Sequence, residues 1–326
     1  MEFYVLRYKD LETKEFEVEI ITPMFLGGAN NKFAELRTQS FKGMLRFWWR
    51  AIYGENDVEA MKKKEDELFG STESKSQVCI EIENIDCILS RENEKLPRGE
   101  LIRVSGGIEV DVIKYLSYGV ESSYKIGNKK IKDMRRYLKP GGKFKLLLRY
   151  PKSNEEEILN SLWTLVNCSG IGSKSRNGFG CLYVASNQLP KRQVKSFFNE
   201  HKRGDLKKFT AFSEKAQLFT LGKSFNSWDK ALSEVGKIYF NARRSLGIYK
   251  RSLISKPIIQ AHGRTIRSDR HAKPYFLHVN KNSKGEYSAH ILFLPYEYRG
   301  NLDEYLRACN AMNEKIREEL KIKHWR

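Results

Sequence analysis

Hydrophobic and polar residues alternate, or recur at helical spacing, along most of the chain. In the first half, Phe16, Val18 and Ile20 alternate with glutamates, which is the period-two pattern of a strand with one buried face. Further strands are predicted near residues 78–83, 143–150 and 181–186, and helices over residues 40–53 and from residue 155 onwards. The resulting order of strand, helix, strand, strand, helix, strand is that of a ferredoxin-like unit.

The second half repeats this order without its last element. The pattern predicts a strand near residues 217–221, a helix over 227–246, strands at 275–279 and 287–294, and a helix over 302–321. We therefore predict an α+β fold with two ferredoxin-like (RRM-like, βαββαβ) domains, residues 1–190 and 191–326, the second lacking a clear last strand. Residues 188–205 are predicted to be the linker, and residues 86–142 to be an insertion in the first domain.

Composition excludes several classes of protein. Hydrophobic residues make up 40% of the chain, and no apolar run approaches the roughly 18 residues that a membrane span needs. The first ten residues carry two acids and no long apolar stretch, so we expect no secretory signal. The five cysteines are scattered and never occur as C-x-x-C, which argues against a disulfide framework and a zinc knuckle. A cytoplasmic protein is therefore expected.

The positive charge is unevenly distributed. Lysine and arginine number 59 against 40 acids, which gives a net charge of +19. Residues 36–54 and 158–199 contain no acid, and residues 235–285 contain twelve basic residues and one acid, Asp269. Solvated faces usually mix the two signs, so this segregation favours binding of a polyanion. Glycine, serine and aromatic residues interrupt the basic tracts, which fits phosphate contact with base stacking better than membrane binding.

Two faces can be distinguished when residues 40–53 are placed around a helix at 100° per residue. Trp48 lies on the apolar stripe and is predicted in the core, whereas Trp49 shares the neighbouring face with Lys42 and Arg46. A basic face with a flat aromatic ring can bind phosphate and stack a base together. Packing of Trp49 on an adjacent element is the alternative. The predicted contacts on this helix are Lys42, Arg46, Trp49 and Arg50, with Ser40 as its N-cap and Gly54 as its end.

A glycine-rich loop, residues 170–180, has the spacing G-x-G-x5-G-x-G. It matches neither the P-loop nor the dinucleotide-binding fingerprint. Short polar and cationic residues at its centre suit phosphate contacts made without base readout. A glycine-rich turn with no ligand is the alternative. The predicted contacts are Gly170, Gly172, Ser173, Lys174, Ser175 and Arg176.

Three segments together carry a resemblance to a known family. Residues 21–30 (ITPMFLGGAN), residues 35–50 (ELRTQSFKGMLRFWWR) and the glycine-rich loop resemble the RAMP superfamily, and within it the family of subunit one of the Cmr effector complex in type III-B CRISPR systems. This resemblance implies two ferredoxin-like domains, single-stranded CRISPR RNA or target RNA as the ligand, other Cmr subunits as partners and a role in antiviral defence.

The basic segment at residues 243–273 belongs to the second predicted domain. Its predicted RNA contacts are Arg243, Arg244, Arg264, Arg267, Arg270 and His271. We expect this segment and the glycine-rich loop to face one cleft and to bind one strand. The alternative is that the segment binds an acidic protein surface.

Catalysis is the remaining question, because some RAMP relatives cleave RNA. Metal-free cleavage needs a general base and acid, usually histidine. Residues 1–200 contain no histidine, so His271 is the one candidate beside the loop, and no spacing of histidines with carboxylates indicates a metal site. We expect an RNA-binding subunit with no catalytic residue, metal or cofactor. A metal-independent CRISPR RNA endoribonuclease is the alternative.

Overall fold

The computed structural model describes residues 10–28, 33–104, 107–126, 129–185, 189–255 and 271–324. Helices and strands follow one another through both halves of the chain, with two antiparallel sheets as the framework. In chain order the elements are β1 (Leu11–Ile20), α1 (Thr38–Tyr53), α2 (Val58–Phe69), β2 (Cys79–Asn84), β3 (Leu101–Arg103), β4 (Glu109–Asp111), α3 (Val112–Leu116), β5 (Glu121–Ile126), β6 (Lys129–Met134), β7 (Lys143–Pro151), α4 (Glu155–Cys168), β8 (Leu182–Val184), α5 (Val194–His201), β9 (Gln217–Thr220), α6 (Trp228–Arg244), α7 (Ile248–Ile254), β10 (Tyr275–Lys281), β11 (Tyr287–Phe293) and α8 (Leu302–His324).

The first sheet has the strand order β2-β7-β1-β8, and every ladder in it is antiparallel. Its register places the apolar residues of β1 on one face, where Phe16, Val18 and Ile20 are at most 1% exposed. Helices α1 and α4 cover this face, and their apolar stripes share one cluster with the sheet. The four predicted strands and two predicted helices of the first half are confirmed.

The second sheet has the order β10-β11-β9 and is also antiparallel. Helices α6 and α8 pack against it in a second apolar cluster. The predicted order of strand, helix, two strands and helix is confirmed, and within the described ranges no fourth strand pairs with this sheet.

The predicted insertion forms small local structures. Strands β3 and β4 pair with each other, β5 pairs with β6, and α3 lies between the two pairs in sequence. Helix α3 packs closely on α6: a Cβ built at Gly236 would lie 2.7 Å from Cδ1 of Leu116. The insertion therefore contacts the second half of the chain.

The segment predicted as a linker contains helix α5, so that prediction is wrong for residues 194–201. Phe197 is 1% exposed and stacks on Trp163, with ring centroids 4.3 Å apart. Each apolar cluster also includes residues from the other half of the chain. Phe276 of the second half belongs to the first cluster, and Phe179 of the first half belongs to the second. The halves are therefore held together by apolar packing.

Helix α2 was not predicted from the sequence. It begins after Asp57, whose side chain accepts a hydrogen bond from the N–H of Ala60, and it ends at Gly70 with a φ of +84°. Its buried residues face α1. Helix α1 itself begins at Thr38 after Arg37, which makes no side-chain cap, so Ser40 is not the N-cap; the predicted end at Gly54 is confirmed.

Two further findings concern membrane-spanning helices and the cysteines. Among the described helices, none has the combination of length and hydropathy that crossing a bilayer needs. All five cysteines are free thiols.

Candidate nucleic-acid interface

Helix α2 covers the face of α1 that was predicted to be cationic and open. Arg46 donates from Nε to Glu65 and from Nη2 to Oδ1 of Asp66 at 2.9 Å. Arg50 donates from Nε to Oε2 of Glu65 at 3.0 Å, and Glu65 is only 3% exposed. Burial alone would raise the pKa of Glu65, but the hydrogen bonds from Arg50 and Arg46 outweigh burial and hold that pKa below its usual value. Contacts of Arg46 and Arg50 with RNA stay predictions.

Trp49 is buried, so its predicted place on an open cationic face is wrong. The ring is 2% exposed, its Nε1 donates to Oε2 of Glu157 at 2.5 Å, and its edge meets Phe69 of α2. Neither face of the ring is open to a base. Trp48 is fully buried as predicted, and its Nε1 donates to Oγ of Ser169 at 3.0 Å.

Lys42 lies on the same side of α1 and is partly buried. Burial lowers the pKa of Lys42, and the nearby charge of Arg46 lowers it further. A phosphate contact of Lys42 stays a prediction.

The glycines of the glycine-rich loop are required by the protein's own backbone. The N–H of Ile171 donates to the carbonyl of Gly180 at 2.9 Å, and a Cβ at Gly170 would lie 2.0 Å from the carbonyl oxygen of Phe179. Gly172 has a φ of +90°, and its Cβ would lie 2.6 Å from the carbonyl oxygen of Phe25. These close approaches account for Gly170 and Gly172 without a ligand. They leave the residues at 173–176 as the loop's candidate contacts.

The loop is anchored on both sides, and its tip carries the cations. Ser173 donates its N–H to the carbonyl of Phe25 at 2.8 Å, which fixes the loop to the segment after β1. Lys174 has a φ of +66°, in the left-handed region that lysine seldom adopts. Lys174 and Ser175 are partly buried. Their contact with RNA stays a prediction.

Arg176 joins the loop to the second half of the chain. Its guanidinium lies over the rings of Phe276 and Phe47, 4.5 and 5.6 Å from their centroids, and Nη1 donates to the carbonyl of Lys273. Its own carbonyl accepts the N–H of Leu277 at 3.2 Å. Burial lowers the pKa of Arg176 to about 10. The structure thus brings the glycine-rich loop against the end of the basic segment, as the shared-cleft prediction requires.

Lys273 lies beside Arg176 in this contact. Its Nζ donates to Oδ1 of Asn177 at 2.5 Å and lies 4.5 Å from the centroid of the Tyr239 ring. Burial lowers the pKa of Lys273 well below its usual value, and the positive charges of Arg176, Arg243 and Lys174 lower it further.

Arg243 completes a group that we call the cation cluster: Arg176, Arg243 and Lys273. Arg243 donates from Nη1 to the hydroxyl of Tyr115 and from Nη2 to the carbonyl of Ser255, both at 3.3 Å, while its buried Nε has no partner within the described residues. The groups that act electrostatically on the cluster are tyrosines and other cations. In the described part of the chain, no carboxylate therefore compensates these three charges.

The other residues of the basic segment that were predicted to bind RNA do not belong to the cation cluster. Arg244 is exposed on α6 and donates to the carbonyl of Arg103. His271 has Nε2 3.0 Å from the carbonyl oxygen of Ser252 and Nδ1 3.1 Å from the hydroxyl of Tyr296, so protein groups occupy both ring nitrogens. Arg264, Arg267 and Arg270 lie outside the described residues. Across the described ranges, no group of three or more His, Cys, Asp or Glu side chains is arranged to hold a metal ion.

A cavity of about 250 Å³ lies where α1, the glycine-rich loop and the second half meet. We call it the α1 pocket. Its lining residues are Phe47, Arg50, Arg176, Lys208, Phe209, Thr210, Ala272 and Tyr296. Lys208 was missed, although residues 206–212 (LKKFTAF) mix cations with aromatic rings as the selected tracts do. Phe47 was missed because it lies off the apolar stripe of α1, and periodicity alone could not say what covers that side.

Comparison with known proteins supports a family assignment. The family model described as RAMPs, the RAMP superfamily, matches residues 17–183, about half of the chain. The curated protein "CRISPR system Cmr subunit Cmr1-2" of Pyrococcus furiosus is 31% identical over 186 residues, which cover 52% of this chain and 93% of the relative. "CRISPR system Cmr subunit Cmr1-1" of the same organism is 28% identical over 176 residues, 52% of this chain and 47% of the relative.

Solved structures share the fold. The crystal structure of Cmr1 from Pyrococcus furiosus in its apo form superposes with a TM-score of 0.55 at 21% identity and covers 93% of this chain and 97% of that one. A chain of the type III-B Cmr-beta complex, solved by cryo-EM with cognate target RNA, AMPPnP and ssDNA, gives a TM-score of 0.57 at 14% identity, with 96% and 100% coverage. At these identities the likeness shows the fold alone.

Proposed function

Because this chain belongs to the RAMP superfamily and is similar to Cmr1, we propose that it is an RNA-binding subunit of a type III-B Cmr effector complex in antiviral defence. Its ligand on this proposal is single-stranded CRISPR RNA or target RNA, which it binds without cleaving. The curated relatives are Cmr subunits, and two solved chains of similar fold come from Cmr-beta bound to target RNA.

The observation that carries the proposal is the cation cluster, to which the described residues contribute no compensating carboxylate. Like charges that are partly desolvated and close together are costly, and proteins normally pair them with carboxylates. Arg176 and Lys273 instead meet at the glycine-rich loop, with Arg243 near them. An anion that enters from solution would offset this cost, and RNA phosphates are anions that also suit the surrounding positive charge.

The fold supports the same proposal. The first sheet has the strand order of a ferredoxin-like domain, and the second has that order without its last strand. We propose that residues 1–190 and 191–326 are two such domains and that the RNA-binding cleft lies where they meet. Phosphate contacts are assigned to Lys174, Ser175, Arg176, Arg243 and Lys273, together with Arg244, Arg264, Arg267 and Arg270.

Binding without cleavage is supported by the surroundings of His271. A general base needs a ring nitrogen free to take the proton of the ribose 2′-OH. Both nitrogens of His271 already face protein oxygens, those of Ser252 and Tyr296. His201, His278 and His290 are buried in the protein interior. A positioning role for His271 in the cleft wall fits these contacts better than catalysis.

Titration of labelled single-stranded RNA into the purified protein, with and without EDTA, tests the proposal. We expect the RNA to be bound and to remain intact in both conditions. With about five phosphates neutralised, the log–log salt slope would be near −3.5, at about −0.7 per phosphate. Cleavage products would instead support the endoribonuclease alternative.

The double variant Arg267→Ala, Arg270→Ala separates RNA binding from subunit assembly. If these residues contact RNA, the variant lowers the affinity of the isolated protein and reduces the slope by about one to two units. If RNA binding is unchanged while assembly with other Cmr subunits fails, the basic segment is a protein interface.

A further inference from the structure

The α1 pocket is a cavity that combines aromatic side chains with cations. Phe47, Phe209 and Tyr296 give it aromatic walls, and Arg50, Arg176 and Lys208 place cations around them. Among the described lining residues there is no Asp or Glu, although Arg50 is paired with Glu65 behind the pocket wall. Arg176 belongs to both the pocket and the cation cluster, so a phosphate held at the cluster lies next to the pocket.

The size of the pocket limits its occupant. Drug-sized ligands occupy cavities of roughly 300–1,000 Å³, whereas this one measures about 250 Å³. A single nucleobase is flat, stacks on aromatic rings whatever its identity, and is joined to a phosphate through its ribose. An acidic peptide would satisfy the cations but would not use the aromatic walls.

Helix α1 supplies an independent observation. Gly43 lies one turn before Phe47 on the same face, is exposed, and has no atom of the described residues within 4 Å of where its Cβ would be. Glycine inside a helix costs about 1 kcal/mol relative to alanine. An open glycine at this place leaves room for a second backbone to pass close to the helix and enter the pocket.

We infer that the α1 pocket takes one unstacked nucleobase of the bound strand, with Phe47 and Phe209 as its aromatic walls and the adjoining phosphate on Arg176. This inference rests on the proposed function. It adds one position at which the strand is held by its base, in a complex otherwise held by phosphates. The strand reaches that position across Gly43.

An abasic scan tests the inference. The shortest single-stranded RNA that binds with full affinity is made with one base removed at each position in turn, because a minimal strand has no alternative register. Since base–aromatic stacking contributes on the order of 5- to 150-fold in affinity, one position should lose at least about 5-fold and the others little. Equal, small losses of affinity at every position, with salt-dependent binding retained, would overturn the inference that the pocket binds a base. The proposed function would then still hold. Failure to bind any RNA would overturn both.

Leucine variants assign the sensitive position to the pocket. Phe47→Leu keeps an apolar side chain and removes the ring, and the same change at Phe209 serves as a second variant. The matched control is Phe225→Leu, because Phe225 is also partly buried beside a cation, Lys223 at 5.2 Å, and lies outside the pocket. In the pocket variants, the affinity difference between intact and abasic strands should shrink, while the control keeps the full difference. A full difference in both pocket variants would contradict the assignment.

Discussion

Arg46 of helix α1 is bound to Glu65 of helix α2, and its Nη2 also donates to Asp66 at 2.9 Å. Glu65 is 3% exposed and accepts from Arg50 as well. One buried carboxylate therefore joins two arginines that the sequence had placed on an open RNA-binding face. These side chains hold α2 against α1.

We expect Arg46→Ala to act first on stability. The change removes one of the two arginines from Glu65, so we expect a loss of about 1–3 kcal/mol in the free energy of unfolding. Denaturant unfolding measures it. Arg103→Ala is the control, because Arg103 is exposed and its pair with Glu109 is long at 3.4 Å; it should change stability by less than about 0.5 kcal/mol. Lost RNA affinity in Arg46→Ala with unchanged stability would restore the original interpretation.

The two neighbouring tryptophans should respond alike. Trp48 and Trp49 are 0% and 2% exposed, so replacing either by alanine should cost about 3–5 kcal/mol. Trp49→Phe keeps most of the ring and removes the hydrogen bond to Glu157. We expect this variant to lose about 1–2 kcal/mol of stability and to keep its RNA affinity. A selective loss of RNA affinity would show that Trp49 reaches the ligand after all.

Stability should fall in mild acid because of two buried histidines. His278 and His290 face each other across β10 and β11, with ring centroids 5.1 Å apart. Burial lowers the pKa of His278 to about 4 and that of His290 well below its usual value. Between about pH 6.5 and 4 the unfolded chain binds more protons than the folded one, so stability is full above pH 6.5 and is lost as the pH falls.

The variant His290→Leu isolates this effect. Each buried histidine contributes up to about 1.4 kcal/mol per pH unit in that window, so removing one should make the decline in unfolding free energy about half as steep. The substitution also removes a buried Nε2 that has no partner in the described structure. Unfolding curves from pH 7 to 4.5 measure the slope, and identical slopes for variant and wild type would show that His290 does not titrate in this way.

Much of the fold could be predicted because its strands and helices have clear periodicity. Residues 15–20 of strand β1 alternate strictly, and α4 begins with three glutamates where a helix N-terminus favours them. Helix α2 was missed because seven of its twelve residues are charged, so its apolar stripe is short. Asp57 and Gly70 were the available signals, an N-cap and a glycine stop with twelve residues between them.

The candidate site was less predictable, since it depends on contacts between distant segments. A helical wheel cannot show that α2 covers one face of α1, and that contact decides the roles of Arg46 and Trp49. Glycine spacing in the loop likewise indicated phosphate contacts, whereas Gly172 is there because Phe25 lies against it. The place of Lys273 in the candidate site depends on its contact with Arg176, which lies 97 residues earlier in the chain.

Gly43→Gln should separate stability from RNA binding. The position is exposed with open space for a side chain, so glutamine should stabilise α1 by up to about 1 kcal/mol. If a strand passes over the helix here, the longer side chain should lower RNA affinity at the same time. Thermal unfolding and RNA titration on one preparation measure both. A more stable protein with unchanged affinity would show that the strand does not cross Gly43.

The cation cluster as an RNA phosphate site is the central claim, and Lys273→Met tests it most directly. Methionine keeps the packing on Tyr239 and removes a charge that has no carboxylate partner in the described structure. The matched control is Lys281→Met, because Lys281 is paired with Glu19 at 2.6 Å and is also partly buried.

The measurement is the salt dependence of RNA affinity for the two variants and the wild type, with unfolding free energies alongside. We predict that Lys273→Met is at least as stable as the wild type, binds RNA more weakly at low salt, and has a log–log slope shallower by about 0.7. Lys281→Met should lose stability and keep both the affinity and the slope. Wild-type affinity and slope in Lys273→Met would contradict the account.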